Sequence, residues 1–179
     1  MHKDVERLLF TEEQINEKVS ELAKKITEDY KGKEPLLIGI LKGCAPFMTD
    51  LMRKIELDCR IDFMVAKSYG NAAVSSGNVK ILKDVDSDIF NRDIIIVEDI
   101  LDSARTLYAV KNYLETKKPA SIRICTLLDK NVSRAIPLEA DYKCFDVENE
   151  FVVGYGLDYA EKYRTLPYIG VLKREIYEK

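Results

Sequence analysis

The chain from Asp93 to Leu107 reads DIIIVEDILDSARTL. Ile94, Ile95, Ile96 and Val97 form a short continuous apolar run, the pattern of a strand covered on both faces. The run leads straight into Glu98, Asp99 and Asp102, and an amphipathic helix follows near 104–116 with Leu107, Val110 and Leu114 inward. Burying three carboxylates without partners is costly, so they face solvent, a cation or a polyhydroxyl ligand. Adjacent Glu98 and Asp99 can grip a cis-diol or hold Mg²⁺, which prefers oxygen ligands and retains waters. Ser103, Ala104, Arg105 and Thr106 lie at the helix N-terminus, where free N–H groups, hydroxyls and the helix dipole make a phosphate pocket. A diol site and a monophosphate site on one short loop describe a ribose 5-phosphate. The same residues also fit an acidic helix start in which Asp102 or Ser103 is simply the N-cap.

Outward from this stretch, strands alternate with helices. Thr11 with Gln14 makes a capping box, and Ile15, Val19, Leu22, Ala23, Ile26 and Tyr30 follow at helical spacing up to Gly32. PLLIGIL (35–41) reads as a buried strand, and Pro46 opens a helix carrying Phe47, Leu51 and Ile55. RIDFMVAKSY (60–69) and VKIL (79–82) read as a strand and its return, joined by the small, polar GNAAVSSGN (70–78). SIRICTLL (121–128) is a further strand, with shorter ones near 142–147, 151–155 and 168–172. This order predicts an α/β, mostly parallel, doubly wound sheet flanked by helices. Ligands of such sheets bind at the carboxyl ends of the strands.

Composition narrows the function. With 179 residues, 46% hydrophobic and 33% charged, the chain fits one soluble globular domain with a real core. Lys+Arg number 28 against 31 Asp+Glu, a balance that argues against nucleic-acid or membrane binding driven by charge. Cys44, Cys59, Cys125 and Cys144 form no C-x-x-C pair and fit reduced thiols of a cytoplasmic protein. His2 is the only histidine, which removes Ser–His–Asp, Cys–His and His-rich metal chemistry. There is no G-x-x-x-x-G-K-[ST] loop, no signal peptide and no run of about 18 apolar residues. A phosphoacceptor receiver domain places its acidic pair after the first strand, whereas this cluster lies near the middle of the chain.

Three further segments carry candidate chemistry. In ILKGCAPF (40–47), Lys42 and Gly43 follow a strand, and Gly43 lets backbone N–H groups approach an anion. In LLDKN (127–131), Lys130 sits at another strand end, where an ammonium can donate to a carbonyl or a phosphate. In EFVVGYGLDYAEKYRTLP (150–167), Phe151 can stack on a planar ring, with Asp158 and Arg164 adding a carboxylate and a guanidinium. Taken singly, these are more often a strand–helix turn, a core aromatic and a surface arginine, and at least as often a solvated lysine.

Together and in order, the motifs carry a resemblance. The acidic strand end followed by D-S-x-x-T resembles the ribose-phosphate signature of type I phosphoribosyltransferases. LKG, KSYG…SSG, LLDK and FVVGYGLDY…YR resemble the bacterial hypoxanthine (hypoxanthine-guanine) phosphoribosyltransferases, from about Leu8 to Val171. The resemblance implies a single domain over 1–179: a core at about 8–140, a flexible loop at about 68–80, and a hood from about 141 to 179 plus the N-terminal segment. It implies Mg-dependent transfer of a 5-phosphoribosyl group from 5-phosphoribosyl 1-diphosphate to N9 of hypoxanthine or guanine, in purine salvage.

By the same resemblance, Glu98 and Asp99 handle the ribose hydroxyls and Mg²⁺, with Asp158 near a second Mg²⁺ and the purine C2 side. Asp102 is the proton acceptor facing purine N7, and Asp102 to Thr106 form the ribose-phosphate loop. Lys42, Gly43 and Arg164 hold diphosphate, and the family has a cis peptide at the position of Leu41–Lys42. Lys130 donates to purine O6, Phe151 stacks on the base, and Val152 presents its backbone to the ring edge. Ser68 and Tyr69 open the flexible loop. The family has glycine where this chain has Ala104, which puts the conformation of that turn in question. Family members are homo-oligomers, dimers or tetramers. The competing class is a nucleotide-sensing, RNA-binding regulator of the same fold, which needs a basic face that the dispersed lysines do not supply.

Overall fold

A computed structural model describes residues 1–68 and 79–178. Its elements run β1 (Val5–Phe10), α1 (Glu12–Asp29), β2 (Leu36–Ile40), α2 (Ala45–Met52), β3 (Arg60–Ser68), β4 (Val79–Lys83), β5 (Asp93–Leu101), α3 (Arg105–Glu115), β6 (Ser121–Asp129), β7 (Tyr142–Asp146), β8 (Val152–Val153), β9 (Ile169–Leu172) and α4 (Arg174–Tyr177).

The capping box forms as the sequence predicts: Gln14 N–H donates to Thr11 Oγ1 at 3.2 Å, and Thr11 N–H donates to Gln14 Oε1 at 2.9 Å. The apolar stripe of α1 then packs beside α2 on one face of a sheet, with Ile95, Val97, Cys125 and Leu127 beneath. Successive residues of a strand point to opposite faces. Ile94 and Ile96 accordingly meet Leu107, Val110 and Leu114 of α3 on the other face. β2 is buried along its whole length, as a central strand between two helical layers must be.

The large sheet has the order β4-β3-β2-β5-β6-β7, and a small one has the order β1-β9-β8. In the large sheet every pairing is parallel except β3 with β4. From β2 the chain crosses to β3 on one side; from β5 it crosses through α3 to β6 on the other. The loops leaving β2 and β5 therefore part, and a crevice opens at the carboxyl ends of these neighbours.

Four details differ from the sequence expectations, and one expectation falls outside the described residues. β5 does not end at Val97 but pairs β6 as far as Leu101↔Asp129, while its pairing with β2 stops at Gly39↔Val97. Glu98 and Asp99 thus belong to a strand with one edge laid bare. Helix α2 stops at Met52, and Ile55 is buried in the segment beyond it. β1 has no clean alternation and pairs β9 through two register shifts, which is why its sequence carries no strand signal. β7 joins the large sheet, so that sheet runs past the boundary near 141 suggested for the hood. Tyr69 and most of the flexible loop expected at 68–80 lie outside the described residues; Ser68 closes β3. Among the described residues, no helix is long and apolar enough to cross a membrane.

Candidate active site

The crevice between the β2 and β5 loops is a cavity of about 300 Å³. Lys42 and Gly43 line it from one side, Glu98 to Ala104 and Thr106 from the other, and Asp158 and Arg164 from the small-sheet side. Three segments that were separate in the sequence thus meet. The Leu41–Lys42 peptide is cis, as the resemblance implied. A β-carbon on Gly43 would lie 1.5 Å from Asp99 Oδ2, so a side chain there must displace the carboxylate or the loop. A β-carbon on Gly156 would lie 2.0 Å from the Gly43 carbonyl oxygen. Two bare backbones therefore bring the small-sheet segment against the Lys42 loop.

Arg164 is fixed by that approach. Its Nη1 donates to the Gly156 carbonyl at 2.7 Å, and its Nη2 lies 2.8 Å from Asp158 Oδ1. Its Nε is buried and has no hydrogen-bond partner among the described residues. A buried guanidinium N–H in that state is short of an acceptor. Glu161, which the sequence reading passed over, bridges the cations: Lys42 Nζ donates to Oε2 at 2.9 Å, and Arg164 Nη2 lies 3.4 Å from Oε1. The Lys42 ammonium holds the Glu161 carboxyl below the usual carboxylate range. Nothing in the spacing of Glu161 marks it; a loop with positive φ at Ala160 (51°) and Glu161 (64°) carries it to the cations.

Burial, with Asp99 beside it, pushes the Glu98 carboxyl well above the usual range. Burial pushes Asp99 up as well, against the pull of Glu98, the Ile100 N–H and Arg164. Such a pair is short of positive charge, and a divalent cation with one or two carboxylates, waters and substrate oxygens fits it. The described residues contain no cluster of three or more His, Cys, Asp or Glu able to hold a metal. Glu98, Asp99 and Asp158 therefore do not form one three-carboxylate site; Asp158 is engaged by Arg164 and by the Glu161 N–H at 2.8 Å.

Ala104 adopts φ 66°, ψ −4° at the N-cap of α3. The turn keeps the left-handed conformation that a glycine takes readily, although this chain supplies a β-carbon there. Ser103, Ala104 and Thr106 line the cavity, whereas Arg105 is exposed and lies outside the lining.

Lys130, Phe151 and Val152 stand outside the cavity lining; Lys130 touches it through Asp102. Lys130 Nζ lies 3.8 Å from Asp102 Oδ2 and donates to the Glu150 carbonyl at 3.3 Å. One ammonium thus spans from the β5 loop to the residue before Phe151. The Phe151 ring is half-buried, edge-on to Tyr159 at 5.5 Å, and Val152 is buried in β8.

Residues 9–160 match the phosphoribosyl transferase domain family. The chain is 52% identical over 179 residues to the hypoxanthine-guanine phosphoribosyltransferase of Streptococcus thermophilus, covering 100% of this chain and 99% of that one. The chain belongs to the hypoxanthine-guanine phosphoribosyltransferase family. A crystal structure of a hypoxanthine phosphoribosyltransferase from Staphylococcus aureus superimposes with TM-score 0.97 at 47% identity, over 100% of this chain and 97% of that one. A hypoxanthine-guanine phosphoribosyltransferase from Bacillus anthracis gives TM-score 0.87 at 44% identity, over 94% and 98% of the two chains. Both the mostly parallel fold and the family suggested by the motifs stand.

Proposed function

We propose that this phosphoribosyltransferase joins hypoxanthine or guanine, through N9, to the phosphoribosyl group of 5-phosphoribosyl 1-diphosphate, giving IMP or GMP and diphosphate in cytoplasmic purine salvage. The observation that carries the reading is the position of Lys130. Its ammonium, 3.8 Å from Asp102 and 3.3 Å from the Glu150 carbonyl, joins the anion-binding cavity to the aromatic shelf at Phe151.

Each residue then has a chemical task. Ser103, Ala104, Arg105 and Thr106 offer the 5′-phosphate a helix N-terminus. Lys42, Gly43 and Arg164 receive the diphosphate, whose oxygens supply the acceptor that the buried Arg164 Nε lacks. Glu161 gives up its two cations as the diphosphate enters. Departure of diphosphate leaves positive charge on the sugar, and the carboxylates at the ribose stand where that charge develops. Glu98 and Asp99 would hold Mg²⁺, which neutralises charge on the leaving group when bound. Asp158, which lines the same cavity, would stand near a second Mg²⁺ and the purine C2 side.

At the base, Lys130 donates to the 6-oxo oxygen, and Asp102 accepts the proton of N7. An adenine 6-amino group offers a donor to a donor, so one lysine separates the two purine classes. Phe151 stacks on the ring, and Val152 meets its edge through the backbone. As in other members, we expect a homo-oligomer, dimer or tetramer.

The test is a spectrophotometric assay with hypoxanthine, guanine, xanthine and adenine, each with 5-phosphoribosyl 1-diphosphate and Mg²⁺. Turnover of hypoxanthine and guanine and none of adenine is expected. No diphosphate release with any base, alongside retention of RNA on filters, would instead support the nucleotide-sensing regulator.

A further inference from the structure

The C-terminal turn reaches the base-binding side of the site. Leu172 N–H of β9 donates to the Phe151 carbonyl at 2.8 Å, and Lys173 N–H donates to the Asp4 carbonyl at 3.0 Å. The chain therefore leaves β9 next to Phe151. The single helical turn of α4 then carries Tyr177 back over that residue. The two rings stack with centroids 4.8 Å apart and planes 24° apart. Tyr159 meets the same phenyl ring at 88°.

A flat ring has two faces. Tyr177 covers one, and the T-shaped contact with Tyr159 limits rotation about the ring's long axis. The reading of Phe151 as the stacking surface gives the base the other face. α4 buries no residue completely, yet Tyr177 itself is half-buried, packed together with Phe151 against the buried Val5, Val153 and Leu172.

We propose that Tyr177 is a positioning residue for the purine: it backs Phe151 and holds the phenyl ring in the plane on which the base stacks. The inference rests on the reading of Phe151 as the stacking surface. Stacked aromatic pairs prefer a limited range of offsets and angles, so a ring fixed on one side presents a defined face on the other. Phe151 without that backing would sample more orientations and pay for its ordering when the base binds.

The experiment is steady-state kinetics of Tyr177→Ala, Tyr177→Leu, Tyr177→Phe and Phe151→Ala, with hypoxanthine and 5-phosphoribosyl 1-diphosphate varied in turn. Tyr177→Ala and Tyr177→Leu should raise the hypoxanthine KM roughly three- to tenfold and leave the KM for 5-phosphoribosyl 1-diphosphate unchanged. Tyr177→Leu keeps apolar bulk, so a shared effect traces to the lost flat ring and not to unfolding. Tyr177→Phe should restore the wild-type KM. In a Phe151→Ala background, Tyr177→Ala should add nothing further. A hypoxanthine KM unchanged in Tyr177→Ala while Phe151→Ala raises it would overturn this inference alone. A fall in that KM would also overturn it, by showing that Tyr177 competes with the base for one face. An unchanged KM in Phe151→Ala would remove the stacking reading itself.

Discussion

Gly43 and Asp99 approach so closely that a β-carbon on the glycine would sit 1.5 Å from the carboxylate oxygen Oδ2. Asp99 cannot swing away freely, because its Oδ1 also accepts the Ile100 N–H at 2.7 Å. Gly43→Ala must therefore displace the carboxylate or the loop. The variant is expected to lose most of its activity and to need more Mg²⁺ for half-maximal rate, at a stability cost of about 1–3 kcal/mol for overpacking. Mg²⁺ titrations of the rate beside thermal melts check this; wild-type Mg²⁺ dependence would show that the pair tolerates the methyl.

Asp102→Asn removes the proposed proton acceptor and keeps a side chain of nearly the same shape. A general base typically contributes about 10²–10⁴-fold, so kcat should fall by roughly 10²-fold or more while 5-phosphoribosyl 1-diphosphate still binds. Unchanged turnover would take Asp102 out of the chemistry.

Lys130→Met deletes the cation 3.8 Å from Asp102 and, with it, the proposed donor to the base. The hypoxanthine and guanine KM values should rise about tenfold or more. The binding of 5-phosphoribosyl 1-diphosphate should change far less. Equal losses for both substrates would contradict a role at the 6-oxo group.

Ala104 is held at φ 66°, where a β-carbon costs about 1–2 kcal/mol. Glycine relieves that cost but gives back about 0.5–1 kcal/mol of chain entropy. Ala104→Gly should thus stabilise the protein by between zero and about 1.5 kcal/mol and leave 5-phosphoribosyl 1-diphosphate affinity equal or higher. Denaturant melts and substrate KM values read both. A marked loss of affinity would show that the methyl group itself shapes the phosphate turn.

Asp62 is buried and accepts the N–H groups of Phe63 at 2.7 Å and of Asp86 and Ser87, each at 2.9 Å. Burial pushes its carboxyl up, but the backbone N–H bonds outweigh burial and hold it below the usual range. A depressed folded value means that the stabilisation is complete above the unfolded pKa of about 3.9. It is lost as pH falls below about 4, through the folded value. Asp62→Asn should cost about 1–3 kcal/mol at pH 7, and the gap to wild type should narrow in urea melts toward pH 3. A gap that widens on acidification would reverse the assigned sign.

Local sequence determined the elements. The capping box at Thr11, the apolar stripe of α1 and the continuous Ile94–Val97 run act within a few residues, so their helix and strand could be read directly. The motif order likewise identified the family and named Asp102, Lys130 and Arg164 before any geometry. Tertiary structure alone decided the rest. Whether β5 continues past Val97 depends on β6 pairing further than β2 does, a comparison between strands distant in the chain. The place of Glu161 on Lys42 and Arg164, the close approach of Gly43 to Asp99, and the return of Tyr177 onto Phe151 are all contacts across the fold. Periodicity encodes which face of an element is apolar; it does not encode which distant charge or ring will meet it, because that follows from how separate elements pack.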